Sequence, residues 1–142
     1  MTDLAAILDC YFRGNSPPSI LYIGIVNADG FTAFDPVNDD LSSHPGWTEL
    51  VDYSESTRVQ WTPGAVIGDS PASVNNPGGN TITPTANNSA IGVFLSDDNN
   101  KAGTTGQLIG PFYFENGTQD LITSVPFAIN LNFSLKRNTP TG

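Results

Sequence analysis

The sequence predicts an all-β protein: an antiparallel β-sandwich, jelly-roll-like, with one short N-terminal helix. Three observations indicate this class. The last long segment alternates strictly between apolar and polar residues, about seven to nine short apolar runs are separated by turn-forming residues, and only one segment has helical spacing. A chain of 142 residues can bury one core. We therefore expect a single domain, with a helix over 1–13, a connector over 14–19, a β-sandwich over 20–137 and a tail over 138–142.

The alternation is clearest in the segment FAINLNFSLKR, which begins at Phe127. Large apolar residues occupy every second position, as they do when one face of a strand packs on a core and the other face meets water. Burying each of these side chains is worth roughly 1.5–3 kcal/mol, so a register slip of one residue is very costly. The pattern predicts one continuous strand whose core-facing residues are Phe127, Ile129, Leu131, Phe133 and Leu135.

Shorter apolar runs predict the other strands. They are ILYIGIV, WTELVDY, TRVQWTPGAVIG, TITPT, SAIGVFLSD, LIGPFYFE and LITSV. Long polar segments between them predict loops, which are NADGFTAFDPVNDD, DSPASVNNPGGN and DNNKAGTTGQ. In the first of these loops, Phe31 and Phe34 are expected to anchor the chain to the core. Loops of this length suggest that they carry the contacts of the protein.

The helical pattern lies in TDLAAILDCYFR, near the N-terminus. Thr2 or Asp3 can cap such a helix, and Gly14 ends it. Its apolar stripe consists of Leu4, Ile7, Leu8, Tyr11 and Phe12. This stripe has two possible uses, because it can cover the open end of the sandwich or dock on a neighbouring subunit.

Charge and cysteine content restrict the function. The chain carries 14 acidic residues against five Lys and Arg, a formal net charge of −9. This balance disfavours nucleic acid and anionic membranes as partners, and it favours either solubility alone or attraction to a basic partner surface. Cys10 is the only cysteine, so no intrachain disulfide is expected. No membrane span or signal peptide is recognised, and we expect synthesis in a cytoplasm.

The residues that carry chemistry in other proteins form no convincing catalytic pattern. His44 is the only histidine, which excludes a histidine metal cluster, and no serine or cysteine has a nucleophile context. Two acidic clusters have oxygen ligands of the kind that Ca²⁺ prefers, but Asp and Asn are also typical turn residues. We expect no enzyme activity, cofactor or metal, and favour the turn interpretation for these clusters. Their acidic residues are Asp35, Asp39 and Asp40 in the first, and Asp97 and Asp98 in the second.

Two further groups of residues have alternative interpretations. The aromatic residues can form a sugar-binding platform, although a role in the core is favoured. Arg58 lies close in sequence to Glu49, Asp52 and Glu55, and we predict a structural ion pair that fixes a loop. No spacing among these acids and Glu115 indicates a pair of catalytic carboxylates. The candidate platform residues are Trp47, Tyr53, Trp61, Phe112, Tyr113 and Phe114.

The segment from Leu21 to Asp97 resembles small structural proteins of tailed bacteriophages and prophages. Three patterns carry the resemblance, and the run SAIGVFLSD also fits it. The family often has Pro where this chain has Val59 or Gln60. The patterns are Tyr22-x-Gly24, then Ser43-His44-x-Gly46-Trp47-x-Glu49, then Tyr53-Ser54-Glu55-x-x-Arg58-x-x-Trp61.

The resemblance implies a virion structural protein, assembled in the host cytoplasm. A capsid decoration (cement) protein that binds and stabilises the outer shell is the first expectation. The alternative is a tail or tail-fibre component with a receptor-binding or carbohydrate-binding role. Expected partners are the major capsid protein or other virion proteins, together with further copies of the chain. The expected contact residues are the helical stripe, Lys136 and Arg137, whereas His44, Trp47, Tyr53, Arg58 and Trp61 are expected to be structural.

Overall fold

The computed structural model describes residues 10, 12–16, 18, 20–69 and 71–136. All named elements in these ranges are β-strands, and their pairings are antiparallel. The predicted all-β antiparallel class is therefore confirmed. The strands are β1 (Tyr22–Asn27), β2 (Glu49–Leu50), β3 (Val59–Gln60), β4 (Ala72–Asn75), β5 (Asn80–Ile82), β6 (Asn88–Ser96), β7 (Leu108–Tyr113), β8 (Gln119–Leu121), β9 (Phe127–Ile129) and β10 (Asn132–Leu135).

The largest sheet is built around β1 and β6, which pair along most of their length. Ile25 lies opposite Val93, and Gly24 lies opposite Phe94. Strands β2 and β3 pair with successive parts of the free edge of β1. On the other side, β7 and β8 pair with successive parts of β6. The remaining strands form two ladders of two strands each, β4 with β10 and β5 with β9.

The main apolar core lies on one face of the central sheet. Ile23 and Ile25 of β1 contribute to it, together with Val93 of β6. The ladder of β5 and β9 supplies Ile82 and Ile129 to the same cluster. Ile82 and Ile129 therefore pack on the same side of the central sheet as Ile23, Ile25 and Val93.

A second apolar cluster covers the opposite face of the same sheet. Val26 and Phe94 point to this face, and the long segment between β1 and β2 adds Trp47. Phe31 and Phe34 pack against the cluster, so their predicted anchoring role is confirmed. Burial on both faces explains why the β1 sequence is almost continuously apolar instead of alternating.

The C-terminal alternating segment is not one strand, as we predicted, but two. It forms β9 and β10, which pair with different partners and are separated at Asn130 and Leu131. The side chain of Asn76 fills the interruption: its Nδ2 donates to the Ile129 carbonyl at 2.9 Å, and its Oδ1 accepts from the Leu131 N–H at 2.7 Å. Inward alternation continues as far as Phe133. Leu135, at the end of the ladder with β4, is 72% exposed and not in the core.

Other strand boundaries also differ from the prediction. The segment DSPASVNNPGGN is not only a loop, since it contains β4. Only two residues of WTELVDY form a strand, because a tight turn follows in which the Tyr53 N–H donates to the Val51 carbonyl at 2.9 Å. Strand β8 ends at Leu121, where the predicted strand LITSV begins.

The predicted helix over 1–13 is not among the named elements of the described chain. Of its residues, Cys10, Phe12 and Arg13 have helical backbone, and the rest lie outside the described residues. Phe12 is 81% exposed. Arg137 and the tail over 138–142 also lie outside them, as do Pro17 and Ser19 of the connector. In the described ranges, no helix has the length and apolar character that crossing a bilayer requires.

Candidate functional site

Arg58, for which the sequence predicts a structural ion pair, is the centre of the candidate site. It follows the turn after β2, and only 1% of its surface is exposed. Its Nε and Nη2 donate to the two carboxylate oxygens of Glu49 at 2.9 and 2.8 Å. The predicted ion pair is therefore present, with Glu49 as the partner. A bidentate pair of this kind is stronger and more directional than a single-contact ion pair.

The same guanidinium holds the segment that follows β6. Its Nη1 donates to the carbonyl of Asp98 at 2.8 Å, and Nη2 donates to that of Gly103 at 3.3 Å. Glu49 contributes from the other side, because its Oε2 accepts from the Ala102 N–H at 2.8 Å. We call residues 97–106 the clamp loop. The Arg58–Glu49 pair thus fixes the clamp loop to β2.

Lys101, at the tip of the clamp loop, makes a second attachment. Its ammonium donates to the carbonyls of Tyr53 at 2.6 Å and Val51 at 3.2 Å. It also lies 3.7 Å from the centroid of the Tyr53 ring, within cation–π range. Desolvation lowers the pKa of Lys101, and the nearby Glu55, Glu49 and Asp52 oppose this shift.

The phenol of Tyr53 is buried beneath this attachment. Burial raises the pKa of the phenol well above its ordinary value, and the negative charge of Glu49 acts in the same direction. Its hydroxyl has no hydrogen-bond partner in the described part of the chain. Tyr53 is therefore neutral, and its ring supports the ammonium of Lys101.

A small cavity of about 230 Å³ adjoins the clamp. Its lining includes Trp47, Glu49, Arg58 and Phe94. This volume is below the roughly 300–1,000 Å³ of ordinary ligand pockets. Four of the five N–H donors of a guanidinium are already used by Glu49 and the clamp loop. A ligand would have to displace these internal hydrogen bonds, so the arrangement favours a structural role.

His44 and Trp47 form one wall of this cavity. Their rings stack at a centroid distance of 3.9 Å and an interplanar angle of 20°. His44 Nδ1 lies 2.8 Å from the Trp47 carbonyl, and the indole Nε1 donates to Asp39 Oδ2 at 2.8 Å. Trp47 is only 2% exposed. These hydrogen bonds join residues within the loop between β1 and β2, and the Trp47 ring packs against Phe94 of the sheet.

The two acidic clusters are organised by internal hydrogen bonds. Asp35 accepts from the Val37 and Asn38 N–H groups, and the side chain of Asn38 is the largest cause of its lowered pKa. Asp40 caps the next turn through Ser42, whose side-chain hydrogen bond is the main cause of its lowered pKa. Among the described residues, no group of three or more His, Cys, Asp or Glu side chains has metal-site geometry.

The second cluster, within the clamp loop, has the same internal organisation. Asp97 accepts from the Gln107 N–H, and Asp98 accepts from Asn100 and Thr105. The hydrogen bond from the Asn100 N–H is the largest cause of the lowered pKa of Asp98. These contacts support the turn interpretation of both clusters.

The candidate sugar platform is not assembled as one surface. Trp47 belongs to the cluster around Phe94, whereas Trp61 packs against the main core on the opposite face. Phe112 is stacked edge-on against Phe133, and Trp61 contacts the same ring. Tyr113 is exposed, but its ring contacts Phe31 and Phe34. The aromatic residues are thus divided between the two clusters, and along β7 the neighbouring rings of Phe112 and Tyr113 point to opposite faces.

Two structural residues have no clear signal in the sequence. Asn76 lies in a run of turn-forming residues, which hides its buried bridging role. Lys101 lies within a polar loop, and its carbonyl partners are about fifty residues away in sequence. Of the residues expected at a partner contact, Phe12 and Lys136 are exposed, and the others lie outside the described residues, namely Leu4, Ile7, Leu8, Tyr11 and Arg137.

Comparisons with models of protein families, with curated proteins and with solved structures find no match to this chain.

Proposed function

We propose that this chain is a structural protein of a phage particle, and specifically a decoration protein that binds the outside of a capsid shell. One observation carries the proposal. The residues behind the phage resemblance contact each other or the nearby loops: Glu49 pairs with Arg58, His44 stacks on Trp47, and Tyr53 supports Lys101. The residues that carry the resemblance therefore build a rigid framework. A protein that works by surface contact needs such a framework to present its surface.

The proposed architecture is a jelly-roll-like β-sandwich. The central sheet forms one layer, and the ladders of β4 with β10 and β5 with β9 form the second. Support comes from the main core, where Ile82 and Ile129 of the second layer pack with Ile25 and Val93 of the first. A rigid two-layered scaffold with long, internally hydrogen-bonded loops suits a protein that bridges neighbouring subunits of a shell.

The charge distribution supports a basic partner surface. Between residues 20 and 135 the sequence has 12 acidic side chains and two basic ones, Arg58 and Lys101. Arg58 is buried, and the Lys101 ammonium is bound to two carbonyls. The exposed charge of this part of the protein is therefore overwhelmingly negative. Association with a basic shell surface would be fastest at low salt and would weaken as salt is added.

The chain ends are the proposed attachment points. The stripe of Leu4, Ile7, Leu8, Tyr11 and Phe12 offers an apolar contact, and Lys136 with Arg137 offers a basic one. Phe12 and Lys136 are exposed in the described structure. We expect further copies of the chain to join the assembly, since decoration of a symmetric shell repeats the same contact many times.

A truncation tests this attachment. Removing residues 1–13 should leave a folded β domain, verified by circular dichroism, that no longer sediments with purified capsids lacking this protein. The full chain and a Lys136→Ala, Arg137→Ala double variant should be assayed in parallel. This measures the contribution of each chain end to capsid binding separately. Capsid binding by the truncated chain at the level of the full chain would refute the role of the N-terminal arm. An insoluble truncation would indicate that the segment covers the core instead.

Copy number separates the decoration role from the tail or tail-fibre alternative. In purified virions, a decoration protein should be present at a copy number comparable with that of the major capsid protein. A tail component would be present at a small fraction of that level. Quantitative gel analysis with localisation in a particle reconstruction gives the answer.

A further inference from the structure

A second depression lies well away from the clamp, at one end of the central sheet. It is an open groove of about 640 Å³, formed where the turn after β1, the start of β6 and the end of β8 meet. It is shallow and largely open to solvent, so it is a surface depression and not an enclosed pocket. Its polar lining consists of Asn27, Asp29, Asn87, Asn88, Ser89 and Asp120.

Two amide side chains in the groove have fixed orientations. Asn27 Oδ1 accepts from the Asp29 N–H at 3.0 Å, and Asn87 Oδ1 accepts from the Thr123 N–H at 2.8 Å. A backbone N–H can only donate, so it determines which amide atom is the oxygen. In the described part of the chain, the Nδ2 groups of both residues have no acceptor. The groove therefore contains two positioned donors that are free for a ligand.

Acceptors lie beside these donors. Ser89 Oγ donates to Asp120 Oδ1 at 2.9 Å, which leaves Oδ2 available. Asn88 Nδ2 donates to Asp52 at 3.1 Å, which leaves its Oδ1 available. Among the described residues, no group donates to the carboxylate of Asp29. Ile122, 57% exposed, provides an apolar surface at the edge of this polar set.

We propose that this groove binds a saccharide without acidic groups. Each sugar hydroxyl both donates and accepts a hydrogen bond, so a sugar ring matches a surface that offers amide donors together with carboxylate and carbonyl acceptors. The C–H face of a sugar ring can pack on Ile122. Because the side chains of Asn27, Asn87, Asn88 and Asp120 are already held by internal hydrogen bonds, little ordering of these groups is required when the ligand binds.

The charge of the groove defines the ligand class. Asp29 and Asp120 both contribute carboxylates, and the groove lining contains no basic residue. Saccharides with uronic acid, sialic acid or phosphate groups would be repelled, whereas neutral and amino sugars would be accepted. The site is independent of the proposed capsid attachment, and it would add a glycan-binding function to a protein displayed on a particle surface.

Titrating the ¹⁵N-labelled full chain with maltose, lactose and N,N′-diacetylchitobiose tests the site by NMR. At least one of these probes should shift the amide signals of residues 27–29, 87–89 and 120–122, with saturation at millimolar concentration. Glucuronic acid should not shift these signals. The Asp29→Ala substitution should weaken binding of that probe by about tenfold or more, because it removes a charged hydrogen-bond acceptor. This substitution should leave the fold intact, because the carboxylate of Asp29 accepts no hydrogen bond from a described residue.

Glu115→Ala is the matched control, as it removes one exposed carboxylate from the turn between β7 and β8. It should bind the probe as the original chain does. The proposal is overturned if none of the three neutral probes shifts these signals, if glucuronic acid binds as well as they do, or if Asp29→Ala and Glu115→Ala weaken binding equally. Capsid binding by Asp29→Ala should be unchanged, which separates this proposal from the decoration role.

Discussion

The ring of Phe94 occupies the space above Gly24 on the neighbouring strand. The two residues face each other in the pairing of β1 with β6, and a Cβ atom at position 24 would overlap the ring. Arg58 stacks on this ring, with its Cζ 5.0 Å from the centroid. Gly24 is therefore required by packing, since the missing side chain lets the aromatic ring lie against the sheet and support the buried guanidinium.

We expect Gly24→Ala to lower the free energy of unfolding by about 1–3 kcal/mol or more, because overpacking a core usually costs this much. Chemical denaturation monitored by tryptophan fluorescence measures this change. In a Phe94→Leu background the same substitution should cost less, because the overlapping ring is absent. An equal cost in both backgrounds would contradict the packing explanation.

Breaking the buried ion pair should destabilise the protein strongly. Glu49→Gln or Arg58→Met should each lower the free energy of unfolding by about 3–5 kcal/mol, because each leaves a buried charge without its partner. The double variant should lose clearly less than the sum of the two single losses. This double-mutant cycle is measured by denaturant unfolding, and additive losses would show that the pair is not coupled.

The clamp loop should also open when the pair is broken. The amide of Ala102 donates to Glu49 in the native protein, and hydrogen exchange at this amide should accelerate in Glu49→Gln. The amide of Ile25, in the central sheet, is the internal reference. Exchange that accelerates to the same extent at both amides would indicate global destabilisation and not local opening.

Protonation of Asp98 should weaken the clamp loop in acid. The pKa of this carboxyl is lowered in the folded protein, first by the hydrogen bond from the Asn100 N–H. Its stabilising contribution is therefore complete above the unfolded pKa of about 3.9, and it is lost as the pH falls through the lower folded value. The stability difference between the original chain and Asp98→Asn should shrink as the pH decreases from about 6 to about 2.

Urea unfolding at a series of pH values measures this difference. Glu115→Gln is the control, because Glu115 is exposed in a turn and should show a small difference at all pH values. A difference for Asp98→Asn that stays constant down to the lowest pH would rule out the proposed role of its ionised form.

Asn76 should be essential for the interruption between β9 and β10. Asn76→Ala leaves the Ile129 carbonyl and the Leu131 N–H without their partner, at a cost of about 1–3 kcal/mol for each buried group. Thermal unfolding measures the loss, and hydrogen exchange should accelerate at Leu131 in particular. Asn75→Ala, on the neighbouring exposed position, is the matched control and should change stability little.

Local patterns in the sequence were enough to predict the antiparallel β class, the strand β1 and the anchoring of Phe31 and Phe34. These features depend on the alternation and clustering of apolar residues, which act over a few positions. The ion pair of Arg58 was also predictable, because a cation surrounded by acids in a base-poor chain has few alternative partners. The pairing partner itself, Glu49, was one of three candidates.

Only the tertiary structure decided where the alternating C-terminal segment divides, which aromatic residues share a core, and which loop Arg58 holds. The alternation of Phe127 to Phe133 specifies a buried face, but it contains no information about a change of partner strand. That change depends on Asn76, about fifty residues earlier in the chain. The clamp loop likewise reaches Arg58 from about forty residues away. Short-range periodicity sets which side of a strand is apolar, whereas contacts between distant segments are selected by the packing of the whole domain.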